Sequence, residues 1–186
     1  MKIVLLIMIL VCVAAGLALA GCAGELPDKS GTGSTASTAP ASTTSSTLSE
    51  TYRLGDEVAA IWAESIQKLD PILKNTPPVA SIQQQVADLK EQYIQKMVAV
   101  GKQIIALNSD EQQTVYDRSN DTMAAMGEAT WFVDYQSLYA PYQAMEDETS
   151  QEFAVVLASF NTLSEYAFFN LLKDDLPDEA ARLGIQ

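Results

Sequence analysis

A long apolar stripe between positions 82 and 107 constrains the fold more than any other feature of this chain. Its members recur at steps of three or four residues: Ile82, Val86, Leu89, Tyr93, Met97, Val100, Ile104 and Leu107. Polar side chains such as Asp88, Lys90 and Lys102 occupy positions between them. Because residues spaced three or four apart share one face of an α-helix, the stripe predicts a long helix that packs against a partner along nearly its whole length.

Weaker helical patterns lie on both sides of this stripe. Upstream, apolar residues of similar spacing run from Leu54 to Leu73, and Trp62 widens their face. Asp70-Pro71 should kink or weaken the end of that helix, and the residues 75–78 should form the turn that closes it. The first helix is therefore expected to lead through a short turn into the helix of the long stripe.

Two capping patterns predict where the later helices begin. Ser109 with Gln112 has the composition of a capping box, and so does Thr149 with Glu152. We expect a third helix from Ser109 to about Gly127 and a final long helix that carries the apolar residues from 153 to 172. A short helical turn should then restart at residues 176–179.

No alternating pattern typical of β-strands is present anywhere in the sequence. Amphipathic helices joined by short turns bury their apolar faces against one another. Residues 49–186 are therefore predicted to form an all-α domain, an antiparallel helical bundle of about four to five helices that follows a disordered tether.

The N-terminus carries a different signal. Residues Ile3 to Ala20 form an unbroken run of apolar and small residues. Its length is close to the ~18–20 residues that a membrane-spanning helix requires, so length alone leaves both a transmembrane helix and a cleavable signal peptide open. Leu19-Ala20-Gly21-Cys22, directly after this run, resembles the lipobox of bacterial lipoproteins.

The resemblance implies that residues 1–21 are a lipoprotein signal peptide and that Cys22 carries a diacylglyceryl group at the start of the mature chain. It also implies an extracytoplasmic location, with the protein anchored to a bacterial membrane at the cell surface or the periplasmic face. Cys12 would leave with the signal, so no disulfide within the mature chain is expected.

Residues 22–48 are predicted to form a flexible tether behind the lipidated Cys22. Between Ser30 and Leu48, twelve of nineteen residues are Ser or Thr, and no apolar periodicity is present. Burial therefore cannot offset the entropy of ordering this segment. Such a tether would hold the domain clear of the lipid headgroups.

Acidic residues dominate the second half of the domain. The whole chain has 24 Asp and Glu against 11 Lys and Arg, a formal net charge of −13. Residues 110–186 contain fifteen of those acids and only three bases, Arg118, Lys173 and Arg182. So negative a surface opposes binding to nucleic acid or to anionic lipid, both of which need basic groups. It favours solubility, and it would also suit a basic partner or divalent cations.

The residue types that most catalytic chemistry requires are missing. The chain contains no histidine, and Cys12 and Cys22 are its two cysteines. His-based triads, the common zinc sites, thiol nucleophiles and iron–sulfur clusters are therefore excluded from the mature chain. The sequence also lacks a glycine-rich phosphate loop. We expect no catalytic residue, no cofactor and no metal site.

Two acidic clusters could nevertheless approach a cation. One comprises Asp117, Asn120 and Asp121, and the other comprises residues 146–148 with Glu152. Neither has the spacing and central glycine of a calcium-binding loop. Acidic residues before a helix also stabilise its positive end, and we prefer this interpretation for them.

The candidate ligand-binding segment is aromatic. Within twelve positions lie Trp131, Phe132, Tyr135, Tyr139 and Tyr142, which we call the aromatic segment. Rings close to carboxylates such as Glu128 and Asp134 suit a cationic or sugar-like ligand. Packing of the rings in the core is the simpler interpretation, because the helical period accounts for it alone.

These patterns favour a lipid-anchored lipoprotein whose helical bundle binds a protein or a cell-envelope component without catalysis. The alternative is a lipoprotein that binds or senses a small ligand through residues 131–142. An envelope enzyme that uses carboxylates would need two acids converging in a cleft, and we rank it last.

Overall fold

The computed structural model describes residues 43–185, with side chains from residue 48 onward. Cys12, Cys22, the predicted signal peptide and most of the predicted tether lie outside the described residues. The helices within the described part are α1 Thr43–Gln67, α2 Asp70–Leu73, α3 Val79–Ile104, α4 Ser109–Met126, α5 Thr130–Ala144, α6 Glu148–Ala158, α7 Phe169–Asp175 and α8 Pro177–Arg182, with a 3₁₀ turn at Leu163–Ala167 between α6 and α7.

The predicted fold class is confirmed. No residue between 43 and 185 belongs to a β-strand, and the helices pack around a shared apolar core. Helix α3 carries the long stripe as far as Ile104: most of its apolar members are buried, and Leu89 is half-buried. Leu107, the last member, lies in the turn after the helix and is half-buried. Across this stripe α1 runs antiparallel to α3, since Arg53 donates to Gln103 at one end and Lys96 donates to Glu64 near the other.

Helix α1 begins at Thr43, upstream of the Ser49 boundary expected from composition. It ends at Gln67, and the chain restarts at Asp70 as the short helix α2 with Pro71 in its first turn. Proline tolerates that position because the amide hydrogen it lacks would have had no helical partner there. The interruption expected at Asp70-Pro71 is therefore present, and it turns Asp70 into the first residue of a separate helix.

The turn between α2 and α3 has an unusual backbone. Asn75 and Thr76 have φ values of 67° and 49°, in the left-handed region that β-branched residues rarely adopt. The surrounding contacts hold this conformation: the Thr76 amide donates to the Leu73 carbonyl, and the Tyr142 hydroxyl donates to the Pro77 carbonyl at 2.9 Å. The turn is thus fastened to α5 directly after its strained residues.

The predicted N-caps of α4 and α6 are both wrong, by one and two residues respectively. Helix α4 is capped by Asn108: its side chain accepts from the Glu111 amide at 3.0 Å, and the Glu111 carboxylate accepts from the Asn108 amide at 3.1 Å. Ser109 is the first residue inside the helix. Helix α6 is capped by Asp147, whose carboxylate accepts from the Ser150 amide at 2.9 Å, rather than by Thr149. In both helices a residue upstream of the predicted cap accepts a hydrogen bond from a backbone amide of the first turn.

The expected long final helix is also wrong. Helix α6 ends at Ala158, and a 3₁₀ turn at Leu163–Ala167 precedes α7. Hydroxyls in the break bond to the backbone, as Ser159 does to the Val156 carbonyl, and such bonds compete with helix continuation. The break brings Phe169 and the Ala167 carbonyl against Gly101 of α3, where a Cβ atom would lie 2.5 Å from the Phe169 ring and 2.9 Å from that carbonyl. The short helix predicted after residue 176 is present as α8.

Polar contacts supplement the apolar core between α1 and α4. Arg118 donates to the Asp56 carboxylate at 2.8 and 3.1 Å, and Thr122 donates to it at 2.9 Å. The Arg118 guanidinium lowers the pKa of Asp56 below its usual value. Gly55 permits this approach, because a Cβ atom there would lie 2.7 Å from the Arg118 side chain.

Candidate functional site

The aromatic segment forms most of α5, and its members divide into two groups. Tyr135 and Tyr142 are buried, with 2% and 0% of their surface exposed. Trp131, Phe132 and Tyr139 are half-buried. The segment therefore belongs partly to the core and partly to the surface.

The two buried tyrosines have structural partners for their hydroxyl groups. Tyr135 donates to the Leu157 carbonyl of α6 at 2.8 Å, and Tyr142 donates to the Pro77 carbonyl. Burial raises the pKa of both phenols, so both stay protonated at neutral pH. Tyr142 also packs edge-on against Phe153, with ring centroids 5.1 Å apart. Through these contacts, both tyrosines hold α5 against its neighbours.

Trp62 of α1 is the centre around which the other rings gather. Its ring lies 6.0 Å from that of Trp131 and 5.6 Å from that of Phe132, and Phe132 lies 6.2 Å from Tyr135. Trp62 is 5% exposed, and its Nε1 is buried with no hydrogen-bond partner among the described residues. The rings join α1 to α5 and fix the position of the Trp131 indole.

A surface groove lies beside this ring cluster, where α1, α2 and α5 meet. Its volume is about 430 Å³, and its walls are formed by Ile66, Gln67, Asp70, Trp131 and Asp134. We call it the α2–α5 groove. It combines an aromatic wall at Trp131 with two carboxylates, and the fully buried Ile66 lies beneath it. Such a mixture of apolar surface and a few polar groups is typical of ligand sites.

The two carboxylates of the α2–α5 groove are not neutralised from within the described part of the chain. Neither Asp70 nor Asp134 forms a side-chain hydrogen bond or an ion pair there. Lys68 and Lys74, the basic residues closest to Asp70 in sequence, make no ion pair with it. By contrast, Glu64 pairs with Lys96 at 3.0 Å and Glu91 pairs with Arg182 at 3.0 Å. The groove therefore has two carboxylates without ion pairs to residues 48–185, among the same wall residues as an indole ring.

The residues of the aromatic segment are thus divided between the two interpretations, core packing and the lining of a groove. Trp131 lines the groove together with Asp134, which the sequence had placed close to it. Tyr135 and Tyr142 direct their hydroxyls into the backbone of neighbouring elements, and the Tyr139 hydroxyl accepts a hydrogen bond from Gln143. The groove also includes Ile66, Gln67 and Asp70, which sequence patterns assigned to the first helix and its end.

Two members of the acidic clusters have local structural roles. Asp147 caps α6, and Asp117 accepts from Gln113 one turn earlier in α4. Between residues 43 and 185, no group of three or more Asp, Glu, His or Cys side chains is arranged to hold a metal ion. Asn120, Asp121, Glu146, Glu148 and Glu152 are exposed.

The chain has no match among known protein families, curated proteins or solved structures. Within the described region, no helix combines the length and apolar character that crossing a membrane requires.

Proposed function

We propose that this protein is a lipid-anchored, extracytoplasmic lipoprotein whose helical domain binds a component of the cell envelope. The lipobox-like sequence ending in Cys22 supports the anchor. One acyl-bearing cysteine followed by a Ser/Thr-rich tether would place residues 49–186 beyond the headgroups. The strong negative charge then keeps the domain away from an anionic membrane surface.

Binding without catalysis is the role that the composition favours. The chain has no histidine to serve as a general base, and its cysteines lie in or beside the predicted signal peptide. Its tyrosine phenols in the core are engaged in structural hydrogen bonds. We therefore propose recognition of an envelope or extracellular protein, with no nucleic acid as partner.

The α2–α5 groove is the observation that carries the binding proposal. It also favours a second candidate function, the binding of a small ligand. A groove of about 430 Å³ between helices is large enough for a small molecule. The protein would then be a lipoprotein that binds or senses a small ligand, with Trp131 of the aromatic segment in direct contact. Phe132, Tyr135, Tyr139 and Tyr142 would position α5 behind it.

The anchor is tested by replacing its cysteine. Cys22→Ala should abolish lipidation, and the protein should leave the membrane fraction or accumulate with its signal uncleaved. Metabolic labelling with an alkyne fatty acid followed by fractionation measures both outcomes. Cys12→Ala is the matched control, because it removes the other cysteine without changing the lipobox. A Cys22→Ala protein that still incorporates the label would refute the anchor.

Recognition of an envelope component is tested at the groove in intact cells. A photocrosslinking amino acid at Gln67 should form a discrete adduct, whereas the same amino acid at the exposed Gln113 on α4 should not. Adducts of equal yield at both positions would argue against the groove as the binding surface.

A further inference from the structure

We propose that the α2–α5 groove binds an organic cation, with the Asp70 and Asp134 carboxylates as counter-ions and the Trp131 indole as an aromatic wall. The ligand would be a compact ammonium group, either on a small molecule or at the end of a flexible chain. This inference rests on the proposed binding function and names the chemistry of the ligand.

The charge of the groove excludes anions and favours cations. Asp70 approaches it from α2 and Asp134 from α5, and neither has an ionic partner among the residues 48–185. The three arginines of the described residues pair with other acids, as Arg118 does with Asp56 and Arg182 does with Glu91. A ligand ammonium would supply the charge that the groove lacks, and charge-assisted hydrogen bonds are the stronger kind.

The wall residues favour an organic cation over a metal ion. Hard metal ions such as Ca²⁺ take six or more oxygen ligands, and the groove offers only two carboxylates and the Gln67 amide, so water would have to complete the coordination. Trp131 and Ile66 contribute nothing to metal coordination. The Trp131 ring does suit the methyl or methylene groups of an organic ammonium, because tryptophan is the best aromatic partner for a cation.

The groove is held open by contacts behind both walls. Trp131 packs edge-on against the buried Trp62. One turn further along α5, the Tyr135 hydroxyl donates a hydrogen bond to the Leu157 carbonyl of α6. On the other side, the bond from Tyr142 to Pro77 fastens the turn that follows α2. A preformed groove loses little entropy when it binds a ligand, which favours affinity from few contacts.

Calorimetry of the full-length protein tests the proposal. The protein is purified in a non-ionic detergent, because a choline-headed detergent would compete. Choline and n-butylammonium are the cationic probes, and 3,3-dimethylbutan-1-ol is the uncharged isostere of choline. At least one cation should bind with saturation while the isostere does not. Loss of one carboxylate in Asp70→Asn or Asp134→Asn should weaken binding about tenfold, which corresponds to about 1.4 kcal/mol.

Two further measurements distinguish the groove from general acidity. Asp117→Asn on α4 removes the same charge elsewhere and should leave the affinity unchanged. In Trp62→Phe the sole remaining tryptophan is Trp131, so its fluorescence should change on cation binding. Wild-type calorimetry remains decisive if that variant fails to fold.

Several results would overturn the proposal: no binding of either cation, equal binding of the isostere, unchanged affinity in both aspartate variants, or stoichiometric binding of Ca²⁺ that displaces the organic probes. The Cys22→Ala fractionation is independent of all these results. A protein that is anchored and crosslinks through Gln67, but binds neither cation, would retain the proposed function and lose this inference.

Discussion

Asn108 and Ser109 are adjacent, and only one of them stabilises the start of α4. The Asn108 side chain accepts from the Glu111 amide, while Ser109 lies inside the helix. We predict that Asn108→Ala lowers the free energy of unfolding by about 1 kcal/mol, because it leaves that amide without its partner. Ser109→Ala should change the free energy of unfolding by only a few tenths of that amount. Urea denaturation measures both; a larger loss in the serine variant would contradict the observed cap.

The capping error shows what local patterns leave undecided. Asn108 with Glu111 and Ser109 with Gln112 both have the spacing of a capping box. The sequence therefore predicts that a helix starts here, as it does, but the choice between adjacent caps depends on which backbone angle the preceding turn imposes. Asn108 has the extended backbone, with ψ of 167°.

The hydroxyls of the aromatic segment differ in their energetic importance. Tyr135→Phe removes a buried hydrogen bond to the Leu157 carbonyl, so we predict a loss of about 1 kcal/mol in the free energy of unfolding. Tyr139→Phe removes only the exposed contact with Gln143 and should have little effect. Thermal unfolding followed by circular dichroism provides the comparison, and equal losses in the two variants would contradict the buried position of the Tyr135 hydroxyl.

At the scale of elements, periodicity predicted α3 well and the end of the chain poorly. The stripe of α3 is long and its polar face is unambiguous, so its helix could be predicted without knowing that both α1 and the 3₁₀ turn pack against it. The residues from 153 to 172 have the same spacing, yet they divide into α6, a 3₁₀ turn and α7. Apolar spacing survives the break because both parts face the same core, so the period alone could not locate it.

The break between α6 and α7 packs against α3, and a substitution in α3 can test this contact. Gly101→Ala would place a Cβ atom 2.9 Å from the Ala167 carbonyl, a backbone atom that cannot rotate away. We predict a loss of about 1–3 kcal/mol, as for other overpacked positions. Gly127→Ala at the end of α4 is the control: the nearest atom would lie 3.3 Å away, so its effect should be much smaller. Denaturant midpoints check both, and a neutral Gly101→Ala would show that the 3₁₀ turn is not packed this closely.

At the scale of the whole molecule, the groove could be predicted only in part. Trp131 and Asp134 belong to one short stretch, which composition singled out. Ile66 and Asp70 reach the same groove from α1 and α2, more than sixty positions earlier in the chain. Tertiary contacts such as those of Trp62 with Trp131 and Phe132 bring these stretches together, and no local pattern encodes which face of α1 meets α5.

The excess of acids over bases predicts a salt response of the whole domain. With a formal net charge of −13, repulsion between carboxylates destabilises the folded state, and added salt screens it. Raising NaCl from about 20 to about 500 mM should stabilise the fold by about 0.5 kcal/mol and raise Tm by roughly 1–2 °C.

A charge-reduced variant is the control for this response. Glu146→Gln combined with Glu152→Gln removes two exposed acids and should reduce the salt-dependent rise in Tm. A fall in Tm with salt would mean that the ion pairs of the domain outweigh its repulsion. Calorimetric melting across the salt series distinguishes the two.

The position of α1 has a mechanical consequence. This helix begins at Thr43 and packs against α3, α4, α5 and the 3₁₀ turn, so a pull at its N-terminal end is delivered to the middle of the bundle. To slide, α1 must strain its links to α4 at Asp56 and to α3 at Glu64 together. Links loaded together share the force, whereas a peripheral helix would peel away one contact at a time. A pull along α1 is therefore resisted by several contacts at once.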